Sequence, residues 1–251
     1  MPYRAEQSSR EAGHAQRFAT THWSVVLAAG QAVSRESRGA LESLCEMYWF
    51  PVYTYVRRLV PCVEDAQDIT QGFFTHLLDK DAIGKADPAR GRFRAFLLTA
   101  LKNYIANERD KMRAEKRGGG KNVLSLDFGS GESRYQVDEP SHELTPEKLF
   151  ERRWVMTLLD QVLESLRTEL SAAGKKPQFE QFKGALVGEI TSSGYEQAAA
   201  ALGITAAAAK QAAYRLRKRY RELFRLEVAR TVADNADVDD EIGRLLGILG
   251  E

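Results

Sequence analysis

Between Arg90 and Arg117 the sequence RGRFRAFLLTALKNYIANERDKMRAEKR sets cations and amides side by side. From Lys85 to Lys121 eleven basic residues oppose four acids, a local charge of +7 in a chain whose net charge is only +1. Arg90, Arg92, Arg94 and Lys102 suit phosphate, which they neutralise without reading sequence. Asn103 and Asn107 add a second capacity, because each side-chain amide carries a donor and an acceptor that can pair with a base edge. The chemistry implied is nucleic-acid recognition, set against the plainer reading of a solvated helix face.

A second basic constellation lies near the C-terminus. Thr205 to Arg225 holds seven basic residues and one acid, a charge of +6. If Ala209, Ala213, Leu216 and Tyr220 face inward, then Lys210, Gln211, Tyr214, Arg215, Arg217 and Lys218 face outward. A helix presented to a DNA groove carries its side chains in this way. A third constellation has the opposite sign. In EDAQDITQGFFTHLL, Glu64, Asp65, Asp68 and Gln71 point outward while Ala66, Ile69, Phe73, Phe74 and Leu77 can pack inward. Acids at a helix start suit its dipole, and they also offer a docking face to a basic partner.

The elements that must position these side chains are all helical. Phe93, Phe96, Leu97, Ala100, Leu101, Tyr104 and Ile105 form one apolar stripe beneath the first basic face. Leu41, Leu44, Cys45, Tyr48, Trp49, Val52, Tyr53 and Val56 form another, which Pro51 is expected to bend or break. A short helix through Trp23, Val25, Val26 and Leu27 is expected to end near Gly30, and Gly118 to Gly120 to end the basic helix. Apolar spacing from Leu149 to Leu166 and from Phe179 to Ile190 predicts two more helices. Ser193 and Glu196 form a capping-box pattern for a helix stopping at Gly203, and Thr205 can cap the next. Together these read as a helix-turn-helix.

The expected fold is therefore all-α, with two small helical domains joined by an acidic flexible linker and the helix-turn-helix in the second. The boundaries are a mobile arm over 1–19, a first domain over 20–117, the linker over 118–145, a second domain over 146–226 and an acidic extension over 227–251. From Asn122 to Glu151 seven acids outnumber two bases, and Val123 to Phe128 could form a brief extended segment. The tail ends in the amphipathic stretch DEIGRLLGIL, which either folds back on the second domain or binds something else.

Several function classes recede. No apolar run approaches the roughly 18 to 20 residues of a membrane span, and MPYRAEQSSREAGHAQR lacks the apolar core of a secretion signal. The two cysteines, Cys45 and Cys62, have no metal-ligand spacing and are expected to be buried or half-buried thiols, which fits a reducing cytoplasm. His14, His22, His76 and His142 are scattered, and GGGK at Gly118 to Lys121 lacks the strand and spacing of a phosphate loop. No enzyme activity, metal or other cofactor is expected.

Over residues 20 to 250 the chain resembles bacterial RNA polymerase sigma factors of the extracytoplasmic-function class, in particular a subgroup with a THWSVV opening segment and an extended acidic tail. EDAQDITQGFFTHLL is similar to the segment that docks on the β′ clamp helices of core RNA polymerase, which implies contacts from Asp65, Asp68, Gln71 and Phe74. RGRFRAFLLTALKNYIANERD is similar to the part that reads and melts the minus-ten promoter element, implying roles for Arg90, Arg92, Arg94, Lys102, Asn103 and Asn107. Within it, the loop Arg90 to Arg94 matches one that holds a base flipped from the non-template strand. GYEQ, LGIT and KQAAYRLRKRYREL are similar to the minus-thirty-five reader, implying contacts from Thr205, Lys210, Gln211, Tyr214, Arg215 and Lys218. The resemblance implies promoter DNA and core polymerase, including its β flap, as partners, and it allows an anti-sigma protein or other regulator. It also implies no catalysis, a cytoplasmic location, and a linker threading the polymerase cleft. The main alternative is a stand-alone helix-turn-helix regulator that binds an operator as a dimer.

Overall fold

The structure, a computed structural model, describes residues 26, 29, 35–79, 83–87, 91–114, 126–137, 144–186, 188, 191–232 and 234–250, with side chains left aside at 35–38, 78–79, 109–114, 137 and 235. Among these residues there is no strand, as expected for an all-α chain. The helices are α1 (Arg35–Leu59), α2 (Val63–Asp79), α3 (Phe93–Ala114), α4 (Phe128–Val137), α5 (Pro146–Ala172), α6 (Lys176–Phe182), α7 (Ser192–Leu202), α8 (Ala206–Ala229) and α9 (Val238–Gly250). The arm over 1–19, Arg90 and the glycines at 118–120 lie outside the described residues, as does most of the expected first short helix, of which Val26 and Ala29 are helical and buried.

Contacts divide the chain into two units, one containing Leu159–Val228 and the other Ala19–Leu158 with Ala229–Glu251. The divisions thus fall inside α5 and at the end of α8, where the sequence suggested 145/146 and 226/227.

In the larger unit the core is built by helices whose apolar residues recur every three or four positions. On α3, Phe93, Leu97, Leu101 and Ile105 are all buried, one per turn. Phe93 and Leu97 lie with Tyr48 of α1 and Phe74 of α2 around one small apolar cavity, with Tyr48 edge-on to Phe93 at 5.5 Å and Phe73 of α2 beside Tyr104 at 5.8 Å. α1 runs on through Pro51 instead of breaking there. Phe50, Val52, Tyr53 and Val56 around the proline are all buried, so packing offsets the hydrogen bond that Pro51 cannot donate.

Part of the stretch expected as flexible linker is a helix. Asp127 caps α4 by accepting from the Ser130 N–H at 3.1 Å. Phe128 packs on Trp49 and Tyr53 of α1, at 6.3 and 5.6 Å between ring centroids. Gly131 allows the close seating, because a Cβ there would meet the Trp49 ring at 2.8 Å. Glu132 accepts from Tyr53 Oη at 2.5 Å and from Arg57 Nε at 3.2 Å. Burial alone would push the Glu132 carboxyl up, but hydrogen bonds from Tyr53, Arg57 and Gln136 outweigh it and hold the group below its ordinary range. The extended segment suggested over Val123 to Phe128 is not seen in its described part, since Phe128 already begins the helix.

The smaller unit closes over Leu166, Phe179, Phe182, Ala198, Ala199, Ala209, Ala213 and Leu216. Ala198 and Ala199 of α7 and Ala209 and Ala213 of α8 are thus all buried in this core. Thr191, not Ser193, is the N-cap of α7, its Oγ1 accepting from the Gly194 N–H at 3.2 Å. The helix stops at Gly203 as expected. Its φ of 63° is left-handed, and the N–H groups of Gly203 and Ile204 turn back onto carbonyls of the last turn. Thr205 Oγ1 then accepts from the Ala208 N–H at 3.2 Å and starts α8.

Candidate nucleic-acid interface

The outward side of α3 carries the expected polar residues, but they divide into two sets. Asn103 and Asn107 are exposed one turn apart, and Lys102 is exposed beside them. Lys102 Nζ pairs with Glu147 at the start of α5 at 2.8 Å. That hydrogen bond raises the lysine above its ordinary pKa and holds the Glu147 carboxyl below its own. The Tyr104 hydroxyl, on the side turned toward α2, is pushed up to about 12 by burial, with the Glu108 charge adding to it.

Arg92 and Arg94 are engaged at the beginning of α3. Arg94 is only 2% exposed, against the expectation of an outward cation. It is bonded to Glu241 of α9, itself 0% exposed, and its guanidinium lies 4.4 Å from the ring centroid of Trp154 on α5. The other oxygen of Glu241 meets Arg92 Nη2 at 2.5 Å and Arg244 Nε at 3.2 Å, while Arg244 also reaches Glu151 at 3.3 Å. Arg94 is pulled inward because a buried carboxylate and an aromatic face together compensate a charge that would otherwise be costly to bury. Thus the tail, in its described part, meets the start of α3 and the first half of α5 through Glu241 and Arg244.

On α2, Asp65 and Asp68 are exposed and Gln71 is half-buried. Phe74, expected among the docking residues, is 1% exposed and stacks edge-on against Phe73 at 5.5 Å. It belongs to the core because it lies on the apolar stripe of α2, beneath the acids. Of the two cysteines, Cys45 is buried and Cys62 exposed, next to the start of α2, which corrects the expectation for Cys62. Burial pushes the Cys45 thiol up to about 12.

Thr205 is exposed just ahead of α8, and along the helix Lys210, Gln211, Tyr214, Arg215 and Lys218 are all exposed on one side. Tyr214 is 62% exposed, and Lys218 and Arg221 are exposed further along the helix. Lys210 Nζ lies 6.0 Å from the Tyr195 ring centroid. Two arginines are drawn off this face. Arg217, expected to point outward, donates to the Ala185 carbonyl at 2.9 Å and to Tyr195 Oη at 3.2 Å, and Arg219 pairs with Glu169 and Glu222.

Glu241, Glu147 and Trp154 are the residues that sequence reasoning missed. Each sits in an ordinary helical pattern, and its role depends on which distant segment folds against it. Among the described residues no group of His, Cys, Asp and Glu could hold a metal ion, and no helix is long and apolar enough to cross a membrane. No curated protein and no solved structure matches the chain. Residues 46–115, from within α1 to the end of α3, match the family model of sigma-70 region 2, which supports a role in RNA polymerase binding and transcription initiation, not in catalysis.

Proposed function

We propose that this protein is a sigma factor of the extracytoplasmic-function class, which brings core RNA polymerase to a promoter and opens the DNA there. The observation that carries the reading is the sigma-70 region 2 match over 46–115, within which α3 presents Asn103 and Asn107 on its outer face. In this reading Asp65, Asp68 and Gln71 of α2 dock on the β′ clamp helices, with Phe74 supporting them from below. Asn103 and Asn107 read minus-ten bases, and the loop from Arg90 to Arg94 takes a flipped base. Unstacking a base costs a few kcal/mol, and capture of the freed strand by cations and aromatic faces offsets it without ATP.

The smaller unit supplies the minus-thirty-five reader. Thr205, Lys210 and Gln211 at the start of α8 meet base edges and phosphate, with Tyr214, Arg215 and Lys218 following along the groove. Alanines at positions 206 to 209 offer no hydrogen bonds to bases, so much of the selectivity there comes from DNA shape. The acidic stretch over 118–145 lies between the minus-ten and minus-thirty-five readers along the chain, and work on chromosomal promoters puts the protein in the cytoplasm.

Fluorescence anisotropy of the labelled chain against core RNA polymerase at physiological salt tests the reading. Submicromolar association is expected. Absence of binding, together with tight binding of duplex DNA by the chain alone, would instead identify a stand-alone operator-binding regulator.

A further inference from the structure

The tail helix α9 covers the start of α3 with a carboxylate where a strand-capture loop needs a phosphate. Glu241 divides its two oxygens, Oε1 to Arg94 and Oε2 to Arg92, and so bridges two guanidinium groups as a backbone phosphate would. It is fully buried, and Arg94 is nearly so. Nucleic acid therefore cannot reach Arg94 while α9 is seated. The seat is also incompletely satisfied, because buried Nε of Arg94 has no hydrogen-bond partner. A carboxylate that takes the two arginines singly leaves this donor idle, whereas a phosphate has more oxygens to offer it.

We propose that α9 is an internal competitor of single-stranded DNA: Glu241 stands in for a phosphate between Arg92 and Arg94, and the strand must displace it to be held. The proposal rests on the reading of the Arg90 to Arg94 loop as a strand-capture site. Arg244 bonds the same oxygen of Glu241 that Arg92 meets and ties it to Glu151 of α5, so displacement frees Glu241 and Arg244 together. The protein thereby keeps a buried cation away from indiscriminate nucleic acid until a strand competes for it.

The test uses the full-length chain and a fluorescein-labelled, mixed-sequence single-stranded oligonucleotide of roughly 20 nucleotides, long enough for several phosphate contacts. Glu241→Gln is expected to bind it about ten-fold more tightly at about 0.1 M salt, and the slope of log K against log salt to steepen by about 1.4, for two added phosphate contacts. Unchanged affinity and slope would overturn the proposal, and weaker binding would assign α9 a positioning role instead. Should the variant fail to fold, hydrogen exchange on the unaltered chain decides. Saturating oligonucleotide is expected to speed exchange across residues 238–250, and unchanged or slower exchange there would overturn the proposal. Polymerase association is measured separately. Its loss with the oligonucleotide effects intact would remove the sigma reading and keep the competitor, and the reverse result would do the opposite.

Discussion

Arg94 and Lys102 stand about two turns apart on one helix, and burial gives their ion pairs very different weight. Lys102 and Glu147 are both near half exposed, so water and salt screen the pair. Lys102→Ala is expected to cost at most about 1 kcal/mol in urea denaturation. Arg94→Ala removes the most buried partner of a fully buried carboxylate, and a loss of about 3 kcal/mol is expected by the same measurement. Asn103 makes a third case. Its exposed amide has no part in the core, so Asn103→Ala is expected to leave folding and polymerase association unchanged while slowing open-complex formation, followed by permanganate footprinting of a promoter. Equal loss of association and opening would contradict a base contact. The sequence pattern was enough to put Asn103 outside, since the apolar stripe of α3 defines the opposite face. It could not reveal that Arg94 points inward, because the residue that draws it there lies 147 positions further along the chain.

At the scale of the elements, helix positions were legible wherever apolar periodicity or capping chemistry was strong. The stripe of α3, the stop at Gly203 and the cap at Thr205 all follow from local rules. α4 was not legible, because DFGSGESRYQV has a weak apolar stripe and two glycines, and its helix is held by what it docks on. Trp49, Tyr53 and Arg57 of α1 provide that surface. The Glu132 link makes the docking sensitive to acid. Its folded pKa lies below the ordinary 4.5, so the stabilisation is fully present above that value and fades as pH falls through the lowered one. Glu132→Gln is expected to lower stability by about 2 kcal/mol near neutral pH. The difference from the unaltered protein should vanish well below pH 4.5, in urea titrations repeated across the acid range. A difference that persisted in strong acid would assign the loss to packing and not to charge.

Across the whole molecule, charge is sorted by region although the total is nearly balanced. Acids lie on the outer face of α2, while cations lie on α3 and α8. Such sorting directs each surface to a different partner, and it was readable from the sequence because charge runs need no tertiary information. The place of the tail was not readable, since an amphipathic helix says that it packs without saying against what. If the α2 acids meet core polymerase, the double change Asp65→Lys and Asp68→Lys should weaken association at least about five-fold, or about 1 kcal/mol, in a competition assay. Thermal unfolding should fall only modestly, because both side chains are exposed and the one structural loss is the favourable Asp65 charge in the first turn of α2.

The contrast between Cys45 and Cys62 equips the native chain for site-selective chemistry. Only thiolate reacts readily with a maleimide, and Cys45 is both covered and pushed up to about 12. Cys62 stands just ahead of Asp65 with its thiol also above the ordinary value, a backbone hydrogen bond at Asp65 being outweighed by the Glu64 carboxylate, so it is exposure to reagent that sets the two apart. A dye is therefore expected to attach to one thiol per folded chain and to both after denaturation, as mass spectrometry would register. The unaltered sequence thus carries a spectroscopic handle at the edge of its acidic face, and the slow appearance of the second adduct clocks how often the aromatic core opens.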